Sequence, residues 1–139
     1  MDIIVRNLSA FPVNRGETDV WAMRHAAKVL NHGQVLATFP EGTRSNGRGL
    51  GVAKTGTARL ALDAQCPIIP MAITTSDQFL KRFPHRTRVH IQLLPALRAK
   101  PNETPLALTD RLMFTLAQAL PEEMRGVYLE MPRGFAIKK

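Results

Sequence analysis

Cysteine occurs once in these 139 residues, at Cys66, so no disulfide can close within the chain. A lone thiol fits a reducing compartment. Its place ahead of Pro67-Ile68-Ile69-Pro70 in an apolar run marks it as a small core residue rather than a nucleophile. Long hydrophobic runs are missing as well. The apolar stretch from Cys66 to Ile73 falls far short of the ~20 residues that span a bilayer, and the first residues lack the apolar centre of a secretion signal. Aromatic residues make up only 6% of the chain and follow no base-stacking motif, which argues against a nucleic-acid module. Acidic residues are few beside basic ones, 11 against 19, leaving a net charge of +8. That excess suits anionic partners such as phosphorylated small molecules or anionic lipid surfaces. What is present suffices for a fold. A hydrophobic content of 45% supports one domain with a real core and excludes a disordered tract.

The chain divides into short elements. Ile3 to Val5 suits a strand, and Phe11 to Val13 is extended because Pro12 biases its neighbour away from helix. After Gly16, Thr18 or Asp19 can cap a helix reaching about Asn31, with Val20, Met23, Ala27 and Leu30 on one face. Asn31-His32-Gly33 stops it. Gln34 to Phe39 reads as a buried parallel strand, and a loop from Pro40 to Gly51 with four glycines follows. Val52 to Ala64 reads as a helix and Pro67 to Ile73 as the next strand. Strand, loop, helix and strand in that order imply a βαβ unit with parallel pairing. Thr87 to Leu94 alternates like a strand near an edge. Thr104 and Pro105 offer a cap and first turn for a helix to Leu120, with Leu108, Leu112, Leu116 and Ala119 inward. The chain after Pro121 is expected to be irregular. No repeat or internal boundary is visible, so residues 1–130 form one domain and 131–139 an irregular tail.

Chemistry concentrates in Phe39-Pro40-Glu41-Gly42-Thr43-Arg44-Ser45. A phosphate monoester needs several donors converging on its oxygens. Arg44 offers a planar fork, Thr43 a hydroxyl, and Gly42 a close approach of backbone amides. The following helix can aim its positive end at the same place, and Lys54 adds a point charge. Glu41 is no phosphate ligand by charge; its carboxylate suits the orientation of a neighbouring arginine.

The heptapeptide resembles a signature block of the glycerolipid acyltransferases, the family that includes 1-acylglycerol-3-phosphate acyltransferase. Three more segments resemble family blocks in the same order. These are Phe11-Pro12-Val13-Asn14-Arg15-Gly16, Lys54-Thr55-Gly56, and Cys66-Pro67-Ile68-Ile69-Pro70-Met71-Ala72-Ile73. The resemblance covers roughly Leu8 to Ile73. It implies an α/β fold, a three-layer αβα sheet, mostly parallel, with part of the N-terminal region missing. It also implies a phosphate-binding set of Arg15, Glu41, Gly42, Thr43, Arg44 and Lys54, in which the cations hold the acceptor phosphate and the others shape the loop. The implied reaction moves a fatty acyl group from acyl-CoA or acyl-carrier protein to 1-acylglycerol 3-phosphate. No cofactor is implied beyond that acyl donor. The implied setting is cytoplasmic, at the inner face of an anionic membrane.

One family motif is absent. Family members carry His-x-x-x-x-Asp, whose imidazole takes the proton of the acceptor hydroxyl. Five residues beyond His25, His32, His85 and His90 stand Leu30, Ala37, His90 and Pro95, none of them an aspartate. No catalytic residue is therefore assigned within this chain. The expectation is an incomplete acyltransferase domain, inactive alone and of marginal stability, that needs an N-terminal segment or a partner chain. The alternative is a non-catalytic module that binds phosphate or anionic lipid.

Overall fold

The computed structural model describes residues 10–11, 13, 19–43, 49–76 and 84–130. Arg15, Arg44, the strand expected at Ile3 to Val5 and the tail 131–139 lie outside the described residues. The chain forms two compact units, residues 1–38 and 39–139.

In the first unit, α1 runs over Val20–Asn31. Asp19 is its cap, and its Oδ1 accepts from the Ala22 amide at 2.9 Å. That bond satisfies one of the donors a helix start leaves open. The buried positions are Ala22 and Ala26, one residue away from the expected stripe, and Val20 is exposed. Met23 and Leu30 are half-buried at the margin of that face. Gly33 (φ +71) takes up the left-handed turn that ends the helix.

Gln34 to Phe39 forms no strand, which corrects the expectation of a buried parallel one. Val35 is 94% exposed and Phe39 81%. An extended segment cannot pair its own backbone groups and counts as a strand only beside one that pairs with it, and the sheet among the described residues pairs 71–74 with 90–93 instead.

The second unit is built around a helix. Here α2 is Gly56–Asp63, β1 is Met71–Thr74, β2 is His90–Leu93 and α3 is Pro105–Gln118. Two 3-10 turns follow at Glu122–Met124 and Gly126–Tyr128, where an irregular chain was expected. β1 and β2 pair antiparallel, Met71 opposite Leu93 and Thr74 opposite His90. The pairing is extended by an Ile68–Leu97 bridge. Among the described residues this is the one sheet, so the fold is α/β with an antiparallel pair where a mostly parallel sheet was expected.

α3 is apolar nearly all round, and six consecutive residues from Leu112 to Ala117 are buried. A helix of that kind has neighbours on both sides. On one side Leu108 packs with Ala58 and Ala61 of α2. On the other, Leu112, Met113 and Leu116 join Ala72 and Tyr128. Thr104 caps α3, its Oγ1 accepting from the Ala107 amide at 3.2 Å. The hydroxyls of Thr109 and Thr115 donate to the carbonyls of Pro105 and Arg111, each at 2.7 Å. The start of α3 is tied to the preceding chain by a fork. Arg111 donates from Nε to Glu103 Oε1 at 2.8 Å and from Nη2 to Oε2 at 2.7 Å, and Nη2 also reaches the Arg98 carbonyl at 2.8 Å. Both side chains are nearly buried.

Candidate functional site

Pro40 and Gly42 occupy the turn positions that favour those residues. The Gly42 amide donates to the Phe39 carbonyl at 2.9 Å, and Gly42 adopts φ +65, where a side chain is strained. The Lys54 amide donates to the Pro40 carbonyl at 2.9 Å, which draws the far end of the loop back onto its start. The Lys54 side chain then lies across Gly42. A β-carbon added at Gly42 would stand 3.3 Å from its Cδ and 3.7 Å from its Nζ. Gly42 thus makes room for the lysine, in addition to permitting the turn.

Glu41 has a different partner from the arginine expected of it. Its Oε2 accepts from the Gly51 amide at 2.6 Å, closing the loop across ten residues. Lys54 and Thr43 are exposed beside this closure. Of the expected phosphate-binding set, the structure therefore brings Glu41, Gly42, Thr43 and Lys54 together. Arg15 and Arg44 fall outside the described residues. The helix expected to carry Lys54 begins later, at Gly56, so the lysine precedes α2 instead of riding on it.

Sequence reading missed a second set of groups, from the other end of the chain. The Leu50 amide donates to the Met124 carbonyl, and the Val127 amide donates to the Leu50 carbonyl, both at 3.0 Å. The Ala53 amide donates to the Tyr128 hydroxyl at 3.1 Å. The Tyr128 ring packs edge-on against Phe114 of α3, with centroids 5.3 Å apart. Tyr128 is the chain's sole tyrosine, set between Val127 and Leu129. That apolar run after a glycine was the available signal.

The four histidines are exposed. His25 stacks on Trp21 at 5.3 Å and meets the edge of Phe11 at 4.7 Å. The His32 ring bonds to the Lys28 carbonyl at the end of α1. Among the described residues no cluster of three or more His, Cys, Asp or Glu could hold a metal ion, and no helix is long and apolar enough to cross a membrane.

Comparison with known proteins finds relatives of this chain. The chain is 41% identical over 76 residues to 1-acyl-sn-glycerol-3-phosphate acyltransferase of Escherichia coli K12, covering 51% of this chain and 31% of the relative. It is 33% identical over 120 residues to the alpha form of that enzyme from Ovis aries, covering 78% of this chain and 42% of the relative. The human alpha form is 31% identical over the same length. The chain thus spans less than half the length of these relatives. No solved structure matches. The Acyltransferase family model matches residues 1–74, more than half of the chain, and this chain belongs to that family.

Proposed function

We propose that this chain serves phospholipid biosynthesis by holding the phosphate of 1-acylglycerol 3-phosphate while that acceptor takes a fatty acyl group from acyl-CoA or acyl-carrier protein. The observation that carries the reading is the position of Lys54, whose ammonium lies over the glycine turn of the Phe39–Ser45 block. An ammonium and a hydroxyl on one loop are donors of the kind a phosphate dianion requires. Arg44 and Arg15 are added to the set on the family resemblance alone, and Glu41 sets the loop's closure. The acyl thioester needs attack by a deprotonated hydroxyl. None of the four histidines is followed by the paired aspartate, so the proton acceptor comes from a segment or partner outside these residues. On this reading the fold is the three-layer, mostly parallel αβα sheet that the family resemblance implies. The excess of cations suits peripheral contact with the inner face of an anionic membrane.

The test is transfer of a labelled acyl group from acyl-CoA to lysophosphatidate, run beside lysophosphatidate binding, with Lys54→Met and Arg44→Ala as variants. Each variant is expected to weaken binding about ten-fold or more, the loss of one charge-assisted bond. Unchanged affinity in Lys54→Met would remove the phosphate role, and unchanged affinity in Arg44→Ala would remove that arginine from the set. The lack of the His–Asp pair favours one other reading, a non-catalytic module that binds phosphate or anionic lipid. That module binds without turnover, even when a chain carrying the family's histidine and aspartate is supplied.

A further inference from the structure

We infer that Tyr128 is a positioning residue for the acceptor-phosphate site, and that the two 3-10 turns after α3 act as a clasp on the loop that carries Lys54. The inference rests on the phosphate-binding reading of that loop. It goes beyond it by assigning a role to a segment outside the residues that the family model matches.

Between Leu50 and Lys54 four amides have defined acceptors. Gly51 and Lys54 are held from within the loop, by Glu41 and by the Pro40 carbonyl. Leu50 and Ala53 are held from outside, by the Met124 carbonyl and the Tyr128 hydroxyl. The outer pair alternates with the inner one, so the backbone leading to Lys54 is fixed from two directions. The contact is close. Gly49 and Gly126 both adopt positive φ, and a β-carbon added at Gly49 would stand 2.6 Å from the Gly126 nitrogen. One added at Gly126 would overlap the Leu50 carbonyl.

Tyr128 is the link from this clasp to the core. Its ring is buried against Phe114, while its hydroxyl meets the amide of the residue just before Lys54. An exposed lysine on a free loop loses side-chain and backbone entropy each time it binds. With its backbone registered against α3, less ordering is left for the ligand to impose. Removing the hydroxyl should therefore weaken phosphate binding while the ring keeps its packing.

The experiment uses the full chain and three variants: Tyr128→Phe, Lys54→Met and Thr104→Ala. Thr104→Ala removes a helix cap remote from the loop and lowers stability by an amount similar to the loss of one hydrogen bond. Amide hydrogen exchange of residues 50–54 and affinity for glycerol 3-phosphate are measured for each. Tyr128→Phe is expected to exchange faster at Ala53 and to bind about five-fold more weakly. Thr104→Ala should leave both unchanged, since a purely structural loss does not reach the loop. Tyr128→Phe with native exchange at Ala53 would overturn the clasp. Faster exchange with native affinity, while Lys54→Met still loses binding, would overturn the positioning role alone. Native affinity in Lys54→Met would sink the phosphate-binding reading, and the inference with it. Should Tyr128→Phe fail to fold, Gly126→Ala, which forces the clasp apart at the main chain, serves with the same readouts.

Discussion

Two segments of this chain have similar apolar content and opposite fates. Residues 112–117 of α3 are all buried. Residues 35–39, Val-Leu-Ala-Thr-Phe, are exposed apart from a half-covered Leu36. The difference lies in who supplies the hydrogen bonds. A helix satisfies its own backbone and needs neighbours only for its side chains, and α3 finds them in α2, β1 and the Tyr128 turn. An extended segment needs a second strand for its backbone before its side chains can be covered. Apolar composition therefore marks where a core could form, and pairing decides whether it does.

The contrast can be broken from the α3 side with the largest effect. Leu112 is 2% exposed, so Leu112→Ala is expected to cost about 3–4 kcal/mol in denaturant unfolding, by lost transfer energy and a residual cavity. A change below about 1 kcal/mol would mean that α3 is not the centre of the fold.

The Glu103–Arg111 fork comes next. Arg111→Met takes the guanidinium from a nearly buried carboxylate and leaves it the Lys100 amide, which should cost about 3 kcal/mol at neutral pH. Its pH dependence has a definite sign. Burial pushes the Glu103 carboxyl up, and the bonds from Arg111 and the Lys100 amide pull it further down, so it titrates below its ordinary value of 4.5. The stabilisation is then complete above that ordinary value and is lost as pH falls through the lower folded value. Melting temperature should fall on acidification below about pH 4.5 in the native chain, by linkage. Arg111→Met should show less of that fall.

The smallest effect sharpens the comparison from the other side. Val35→Ser, at a position 94% exposed, should change stability by no more than about 0.5 kcal/mol. A loss several times larger would show that something covers this segment in solution.

Much of this was legible in the sequence, for local reasons. Asp19 and Thr104 cap their helices through bonds that reach three residues along the chain. Pro105 begins α3 as a first-turn proline should. Gly42 sits where its turn needs it. Three things were not legible. Gln34 to Phe39 has the composition of a strand, but pairing is a property of a neighbour. The stripe of α1 shifted by one residue onto Ala22 and Ala26, and alanine carries weak hydrophobic signal. The clasp depends on groups 75 residues apart, Ala53 and Tyr128, and no periodicity encodes such a meeting. Within the candidate site, the residue types around Gly42 announced themselves, whereas the bond from Glu41 to Gly51 depended on the loop's path.

The meeting of Gly49 and Gly126 has a consequence for how this protein can change. What each glycine faces is main chain: the Gly126 nitrogen and Met124 carbonyl on one side, the Leu50 backbone on the other. An obstacle made of side chain can be trimmed by a second substitution, but one made of main chain cannot. A larger residue at either position therefore has no local suppressor, and relief comes only when one whole segment moves off the other. The two positions form a hinge pin with no adjustable part. A designer who wishes to alter the loop around Lys54 must rebuild the turns after α3 in the same step.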